Sequence, residues 1–289
     1  MEQDVLQKAV LDNASEEISP AGEKYLSLSL ADSRQLAMKN DLPGRLIELA
    51  ALEIEVIPER YQRNIGTLGL EGQKKLLQST VGVIGAGGLG GFVLELLARI
   101  GAGRIIVVDG DFFSESNLNR QILATELSVG QSKVEEAARR AAEINGSVEI
   151  EIHHCRGDLN NLPEIFSKCD LVVDCLDNIP SRFNLEKVCG QLNIVMIHGA
   201  IAGFIGQLAV IRPERPMLSK IYGKKTENGP SQGIEVQLGN PVVTPAMLAS
   251  FQACEAIKYI AGLDHVLAGD KLLIIDMQSG SSYQMDFSR

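Results

Sequence analysis

The sequence predicts an α/β fold: a mixed, largely parallel sheet continued by antiparallel strands, with a small N-terminal helical segment. Three observations support this prediction. Apolar runs alternate with helical patterns between residues 81 and 178, as in a parallel sheet. Strand patterns then follow one another after residue 194 around a single long helix. Residues 1–58 show helical patterns instead.

The N-terminal segment is distinct in charge as well as in pattern. Residues 1–60 hold 6 Lys or Arg and 12 Asp or Glu, so this segment carries −6 of the total charge of −10. Such acidity argues against nucleic-acid binding, which requires a basic surface. We interpret the segment as a helical cap on a dimer or as a docking surface for a partner. Its predicted helices span residues 2–12, 30–39 and 44–54, and the last two resemble a helix-turn-helix.

A glycine loop indicates a Rossmann-like nucleotide-binding unit. Gly85-Ala86-Gly87-Gly88-Leu89-Gly90 follows the apolar run 81–84 and opens a helical pattern at 92–99. Gly85 would make the tight turn, Gly87 would admit a phosphate to the backbone, and Gly90 would let the helix pack on the strand. Phosphates would then lie at the helix N-terminus.

An acidic residue follows at the spacing that a ribose requires. The next apolar run, 104–108, ends in Asp109, which lies 19 residues after Gly90. Its carboxylate would accept hydrogen bonds from the ribose hydroxyls. Loop and acid together predict a nucleotide site.

The residues after Asp109 favour a triphosphate over a nicotinamide cofactor. Asn117 and Arg120 are three residues apart and would share a face of a short helical turn. Lys133 opens the helical pattern 131–145, whose apolar stripe leaves the lysine outside the core. Two cations and an amide are suited to a polyphosphate leaving group.

Asp177 is a candidate magnesium ligand. It follows the apolar strand pattern 171–174, at the edge of the sheet where such folds bind ligands. Magnesium usually binds one or two carboxylates together with phosphates. The alternative is that Asp177 caps the following helix, a task that Asn178 could share.

The remaining pattern continues the sheet. Residues 212–239 separate these elements and indicate a mobile crossover loop that could cover an incoming polypeptide tail. His153, His154, His198 and His265 form no recognisable ligand set. The predicted strands span 194–198, 206–211, 271–276 and 283–287, and the predicted helix spans 244–261.

The cysteines indicate a reducing compartment. All are predicted to be buried small hydrophobic residues, and Cys175, close to Asp177, is the one to watch as a nucleophile. No signal peptide or membrane span is recognisable, so we expect a cytoplasmic protein. The five cysteines are Cys155, Cys169, Cys175, Cys189 and Cys254.

These motifs resemble those of the ThiF, MoeB and HesA family, the bacterial relatives of ubiquitin-activating enzymes. The resemblance runs from about residue 60 to the C-terminus, and its motifs are specific because six occur in family order. They are RYQRN at 60–64, GAGGLG at 85–90, DGD at 109–111, SNLNRQ at 116–121, GQSK at 130–133 and CLDN at 175–178.

The resemblance implies ATP-dependent adenylation of the C-terminal carboxylate of a ubiquitin-like sulfur-carrier protein ending in Gly-Gly. It also implies a homodimer, because the arginine that matches Arg63 reaches the neighbouring subunit's ATP site in the family. The implied roles are ribose binding by Asp109, loop contacts by Gly88, phosphate contacts by Asn117, Arg120 and Lys133, and magnesium binding by Asp177; the motifs add Asp111 and Gln121 to the nucleotide-binding residues.

Two departures from the family pattern limit the resemblance. Relatives carry two CxxC pairs that bind zinc, whereas residues 216–220 and 277–289 contain no cysteine, so we expect no zinc site. Members that form a thioester or persulfide keep a cysteine in the crossover segment, and residues 212–245 contain none.

The resemblance divides the chain into an N-terminal extension, 1–58, and an adenylation domain, 59–289. Within that domain we expect a nucleotide half at about 79–178 and a carrier-binding half at about 179–289. Three alternatives stay open: a dehydratase acting on threonylcarbamoyladenosine in tRNA, which a pI near 5.0 disfavours, a non-catalytic scaffold, and a nicotinamide oxidoreductase.

Overall fold

The chain forms two sheets, one of three strands and one of eight, in a computed structural model that describes residues 3–223, 235–264, 267 and 269–288. The helices are α1 (Gln3–Asp12), α2 (Leu30–Asn40), α3 (Gly44–Glu53), α4 (Gln62–Gln78), α5 (Gly88–Ile100), α6 (Lys133–Ile144), α7 (Leu162–Ile165), α8 (Ile179–Leu192), α9 (Leu218–Tyr222), α10 (Glu235–Leu238) and α11 (Val243–Ala261). The strands are β1 (Ser15–Ile18), β2 (Lys24–Leu28), β3 (Val56–Pro58), β4 (Thr80–Ile84), β5 (Arg104–Val108), β6 (Glu149–His153), β7 (Leu171–Asp174), β8 (Val195–Ala202), β9 (Ile205–Ile211), β10 (Lys271–Asp276) and β11 (Ser281–Asp286).

The large sheet has the mixed, largely parallel character that the sequence predicts. Its order is β11-β10-β9-β8-β7-β4-β5-β6. Five neighbouring strands, β8, β7, β4, β5 and β6, pair in parallel. Strands β9, β10 and β11 continue the sheet beyond β8 with antiparallel pairing. The chain turns from one side of β4 to the other, because β5 and β6 lie on one side and β7 and β8 on the other. Ligands of such sheets bind at this switch point, outside the carboxyl ends of the strands.

Alternate residues of β4 and β5 enter two apolar cores on opposite faces of the sheet, as expected for strands buried on both sides. Val81 and Val83 pack with α5, α6 and α11, whereas Ile84 packs with α7, α8 and α9. Gly82 is required at this point because a Cβ there would lie 2.9 Å from the ring of Phe166. Among the described helices, none combines the length and apolar character that crossing a bilayer requires.

The N-terminal segment is not purely helical, and our prediction was wrong on this point. Helices α1, α2 and α3 lie where the sequence predicted them, but β1 and β2 form an antiparallel hairpin and β3 pairs in parallel with β2. The four residues of β1 are all exposed, so this strand lacks the alternation of apolar and polar residues by which a strand is recognised.

A buried polar cluster joins α3 to the large sheet's half of the chain. The carboxylate of Glu48 accepts hydrogen bonds from the hydroxyls of Tyr61, at 2.9 Å, and Ser147, at 2.8 Å. Arg60 completes the charge balance, with Nε 3.4 Å from Glu48. Asn145 donates to the oxygen of Tyr61 at 3.0 Å. Burial raises the pKa of the Glu48 carboxyl, against the opposing effect of Arg60.

The described part of the crossover segment contains the short helices α9 and α10. Residues 224–234, which belong to the predicted mobile loop, lie outside the described residues. On the far side of this gap, Gly239 accepts a backbone hydrogen bond from Gly203 at 2.8 Å, and the hydroxyl of Thr244 donates to the carbonyl of Gly203 at 2.6 Å. These bonds attach the start of α11 to the β8–β9 turn.

Candidate active site

A cavity of about 670 Å³ lies at the carboxyl ends of β4, β5, β6 and β7. The carboxyl ends of parallel strands lie at the same edge of the sheet, so segments that are distant in sequence contribute side chains to one cavity. Nine of the residues predicted for the site line this cavity, whereas Gly90, Asn117 and Arg63 do not. The nine are Gly85, Gly87, Gly88, Asp109, Asp111, Arg120, Gln121, Lys133 and Asp177.

At two positions of the glycine loop, contacts within the protein leave no room for a Cβ. Gly85 has φ +91°, and a Cβ there would lie 2.6 Å from the carbonyl oxygen of Cys175. A Cβ at Gly90 would lie 1.7 Å from the carbonyl oxygen of Gly85, so only glycine lets α5 approach the turn. A Cβ at Gly87 would meet Gln121 at 3.6 Å, an ordinary contact. The protein therefore does not itself require glycine at Gly87, which faces the cavity.

Asp109 is held rigidly beside the loop. Its Oδ2 accepts from the backbone N–H of Ala86 at 2.7 Å, and its Oδ1 accepts from Asp111 at 2.8 Å. Each carboxylate oxygen retains further capacity to accept hydrogen bonds. Asp109 can therefore bind hydroxyls at the mouth of the loop without leaving its position.

Lys133 lies outside the apolar stripe of α6 and lines the cavity, and it is nevertheless buried. It is the first residue of α6, and its side chain is 8% exposed. Its Nζ lies 3.0 Å from Oδ2 of Asp111, whose side chain is 73% exposed. A cation at a helix N-terminus opposes the helix dipole, and burial adds a desolvation cost. Both costs make this ammonium group a strong site for an additional anion.

In the segment from Asn117 to Gln121, Arg120 and Gln121 line the cavity, whereas Asn117 bonds to nearby backbone. Arg120 faces the cavity and donates to the carbonyl oxygen of Ser116 at 2.7 Å and to Oδ1 of Asn119 at 2.9 Å. Gln121 is buried, and its Oε1 has no hydrogen-bond partner among the described residues. Asn117 is also buried, and its Oδ1 accepts from the backbone N–H of Ser114 at 3.1 Å.

Asp177 is available for a ligand because Asn178 caps the following helix. Oδ1 of Asn178 accepts from the backbone N–H of Ser181 at 2.9 Å. Asp177 is exposed, lines the cavity, and accepts one bond, from the Asn178 amide at 3.3 Å. Among the described residues, no three His, Cys, Asp or Glu side chains converge as a metal site. A cation at Asp177 would therefore need other ligands, such as phosphate oxygens.

Two cations of the site were missed by the sequence analysis. Arg156 and Arg182 both line the cavity, and neither belongs to a motif that marks it. With Arg120 and Lys133 they make four cations against the three carboxylates of the lining, Asp109, Asp111 and Asp177, a net charge of +1. The whole chain carries −10. The cavity is thus a local cationic site suited to an anionic ligand.

Cys155 and Cys175 line the cavity, and the prediction that all five cysteines are buried was wrong for two of them. Cys254 is exposed on α11, although we predicted it to be buried, and Cys155 is only partly buried. The thiol of Cys175, at the cavity, has a pKa raised well above its ordinary value by burial. Burial likewise raises the pKa of Cys169 to about 12 and raises that of Cys189. These three thiols remain protonated at neutral pH.

Arg63 lies outside the cavity lining. It is exposed on the first turn of α4, which begins directly after Tyr61, so it belongs to a helix and not to a linker. Its side chain makes no hydrogen bond or ion pair within the part of the chain that the structure describes. The guanidinium of Arg63 is therefore exposed to solvent in this chain.

Comparison with known proteins identifies a family. The model of the ThiF family matches residues 61–288. The SAMP-activating enzyme E1 of Haloferax volcanii is 37% identical over 222 residues, covering 75% of this chain and 81% of that protein. The sulfur carrier protein adenylyltransferase of Thermus thermophilus is 36% identical over 223 residues, covering 74% of this chain and 82% of that protein.

Other matches are longer proteins or share the fold alone. Adenylyltransferase and sulfurtransferase MOCS3-1 of Zea mays is 39% identical over 218 residues, but the match covers 46% of its length. E. coli MccB, in a crystal structure with ATP, has a TM-score of 0.65 at 22% identity and covers 83% of this chain and 82% of that chain. The crystal structure of PaaA has a TM-score of 0.63 at 18% identity and covers 96% of this chain and 99% of that chain.

Proposed function

The chain belongs to the ThiF family, and on that premise we propose that it is an ATP-dependent adenylyltransferase. Its substrate is the C-terminal glycine carboxylate of a ubiquitin-like sulfur-carrier protein, and the products are an acyl adenylate and pyrophosphate. One observation carries the proposal: a single cavity combines the glycine loop, Asp109, a net cationic lining and the exposed carboxylate of Asp177. The relatives named as adenylyltransferases or as a SAMP-activating enzyme support it.

The lining residues favour one orientation for ATP. Its ribose hydroxyls would bind Asp109, which is fixed next to the loop by Ala86. Its phosphates would then follow the loop towards Arg120 and Lys133, passing the N-terminus of α5. The predicted nucleotide-binding residues Gly87, Gly88, Asp111 and Gln121 line the same cavity. Asn117 would act on the phosphates only indirectly, since it does not line the cavity and its amide oxygen caps the turn at Ser114.

The reaction needs no general base. A terminal carboxylate is ionised at neutral pH, and one of its oxygens forms a bond to the α-phosphorus. The bond from that phosphorus to the bridging oxygen of the β-phosphate breaks, and its electron pair leaves with pyrophosphate. The residues of this site contribute by positioning the two anions and offsetting their repulsion. Lys133 and Arg120 are the side chains placed to stabilise charge on the leaving group.

Magnesium is the metal that Asp177 suits. Its carboxylate is exposed to the cavity, follows a buried strand, and is spared from helix capping by Asn178. This matches the magnesium pattern of one or two carboxylates plus phosphates. When bound, the ion would neutralise charge on the phosphates.

We further propose a homodimer in which Arg63 enters the partner's cavity. The exposed position of Arg63 on α4, away from its own cavity, supports this arrangement. The catalytic unit would comprise residues 59–289, with the nucleotide half at about 79–178 and the carrier-binding half at about 179–289. Residues 1–58 would form an extension fixed to it through Glu48.

The test is carrier-dependent exchange between pyrophosphate and ATP. The protein is incubated with ATP, magnesium and each host ubiquitin-like protein that ends in Gly-Gly, and the acyl adenylate is identified by intact mass. We expect exchange with at least one carrier and a loss of about 100-fold or more in Asp177→Asn. The control Asp264→Asn, at an exposed residue outside the cavity, should match the wild type. Absence of exchange with every carrier would reject the proposed function.

A further inference from the structure

A chain of hydrogen bonds runs next to the cavity, from Arg182 in its wall to Asp174 in the sheet. Nη1 of Arg182 lies 2.7 Å from the hydroxyl oxygen of Tyr222, which lies 3.0 Å from Nε2 of His198. Nδ1 of His198 lies 2.7 Å from Oδ2 of Asp174. The side chains of His198 and Asp174 are fully buried. Neither His198 nor Tyr222 lines the cavity.

The donor and the acceptor of each hydrogen bond in this chain can be assigned. An ionised Asp174 can only accept, so His198 donates from Nδ1 and its Nε2 is left to accept the proton of Tyr222. The oxygen of Tyr222 then accepts from the Arg182 guanidinium. The imidazole is neutral in this arrangement, and burial lowers the pKa of His198 accordingly. A cation at one end and an anion at the other are thus joined by polar groups that each have a partner.

The two ends of the chain hold the same residue, Leu176, from opposite sides. Oδ1 of Asp174 accepts from the backbone N–H of Leu176 at 3.0 Å. Nη2 of Arg182 donates to the carbonyl oxygen of Leu176 at 2.6 Å. The next residue along the chain is Asp177. The position of the Asp177 backbone therefore depends on Asp174 and Arg182 keeping their places.

Stability alone does not explain this network. The side chains of Asp174 and His198 are fully buried, and a buried ionic group is often no more stable than a well-packed apolar pair. We propose that His198 and Tyr222 are positioning residues: they hold Arg182 and Asp174 against Leu176 and thereby direct Asp177 towards the metal and the phosphates. This inference rests on the proposed function, because it takes Asp177 as the magnesium-binding residue.

Tyr222 gives the arrangement a second consequence. It is the last residue of α9, in the predicted carrier-binding half, whereas Asp177 belongs to the nucleotide half. The hydroxyl of Tyr222 contacts both His198 and Arg182. The position of α9 is therefore linked by hydrogen bonds to the backbone next to Asp177. A change at Tyr222 should therefore alter metal binding without touching the metal.

The test measures metal affinity separately from catalysis. Mn²⁺ is titrated into the full-length protein with saturating ATP, and free Mn²⁺ is followed by electron paramagnetic resonance. We expect Tyr222→Phe, which removes one hydroxyl and keeps the ring, to weaken Mn²⁺ binding about five- to tenfold. ATP affinity in EDTA should stay within about twofold of the wild type, because Tyr222 itself does not line the cavity. Tyr283→Phe, at a residue 54% exposed on β11, is the matched control.

A second variant keeps the test decisive. His198→Gln breaks the same chain at its centre, and the double variant with Tyr222→Phe should be no weaker in Mn²⁺ binding than the weaker single variant, because both act through one path. Unchanged Mn²⁺ binding in folded Tyr222→Phe, or an equal loss of ATP affinity in EDTA, would overturn the inference. Carrier-dependent exchange is measured on the same preparations. If the wild type shows no exchange but Tyr222→Phe weakens Mn²⁺ binding, the proposed function is rejected and the positioning role of Tyr222 is supported.

Discussion

Lys133 and Asp111 form an ion pair of 3.0 Å in which the cation is buried and the carboxylate is largely exposed. Water therefore screens Asp111 far more than Lys133. The lysine also begins α6, where the helix dipole is unfavourable to positive charge. An incoming phosphate would add to, or replace, the weak stabilisation that an exposed carboxylate supplies.

Lys133→Ala should lower kcat/KM in the exchange reaction by about 10²- to 10³-fold, because it removes a cation placed for the leaving group. The measurement is pyrophosphate exchange with the carrier identified as substrate. Lys168→Ala removes an exposed lysine outside the cavity and should have no effect. A loss of less than threefold in Lys133→Ala would show that Asp111 is the only anion that Lys133 serves.

Arg63→Ala should be inactive on its own and rescued by a partner that has Arg63. Mixed with inactive Asp177→Asn, it should form heterodimers with one whole site, giving about a quarter of wild-type activity after random exchange. Subunit exchange is verified with two distinguishable tags. If exchange is complete and activity stays absent, Arg63 acts in its own subunit or has no part in catalysis.

No thioester should form between the enzyme and its carrier, because the crossover segment has no cysteine and burial keeps Cys169, Cys175 and Cys189 protonated. The reaction is trapped and separated without reductant, and a carrier-linked band that thiols remove is sought. Cys254 is the exposed cysteine and is the first to replace by alanine. A band lost in Cys254→Ala would extend the mechanism from activation to transfer.

Stability should fall as the pH drops below about 6.5, partly because of His198. Burial is the largest cause that lowers its pKa, and Arg182 adds to it, whereas Asp174 and Glu186 oppose it. A base with a lowered folded-state pKa is fully stabilising above its unfolded pKa, and this contribution is lost as the pH falls towards the folded value.

His198→Gln should therefore flatten the decline of the urea midpoint between pH 7.5 and pH 5.5. Exposed His154, replaced in the same way, should leave the decline unchanged. A slope in His198→Gln equal to that of the wild type would show that His198 does not titrate on unfolding. Both variants keep the hydroxyl of Tyr222 and the three charged groups around His198, which are Asp174, Arg182 and Glu186.

Glu48→Ala should lower the free energy of unfolding by about 2–4 kcal/mol, because it leaves the buried hydroxyl of Tyr61 and the half-buried hydroxyl of Ser147 without their acceptor and Arg60 without its carboxylate. Chemical denaturation measures the change. Glu53→Ala, at an exposed position of the same helix, should cost far less. A similar loss in both variants would mean that α3 contributes by packing alone.

The sequence determined the large sheet and most of the cavity. Apolar runs, glycines and acidic residues follow one another over short distances between β4 and α8, so Gly85, Asp109 and Asp177 could be assigned from local pattern. The edge strands were predictable for the same reason, since β9 to β11 carry patterns of their own. The hairpin of β1 and β2 was missed because β1 is exposed throughout and has no such pattern.

Tertiary structure decided what the side chains do. Asp174 and His198 are 24 residues apart, and Arg182 and Tyr222 are 40 apart, yet each pair shares a hydrogen bond. The burial of Lys133 and the exposure of Cys254 depend likewise on which helices pack against them. Local sequence fixes backbone conformation through propensity and periodicity, whereas a polar side chain takes its partner and its solvation from whatever the folded chain brings within about 3 Å.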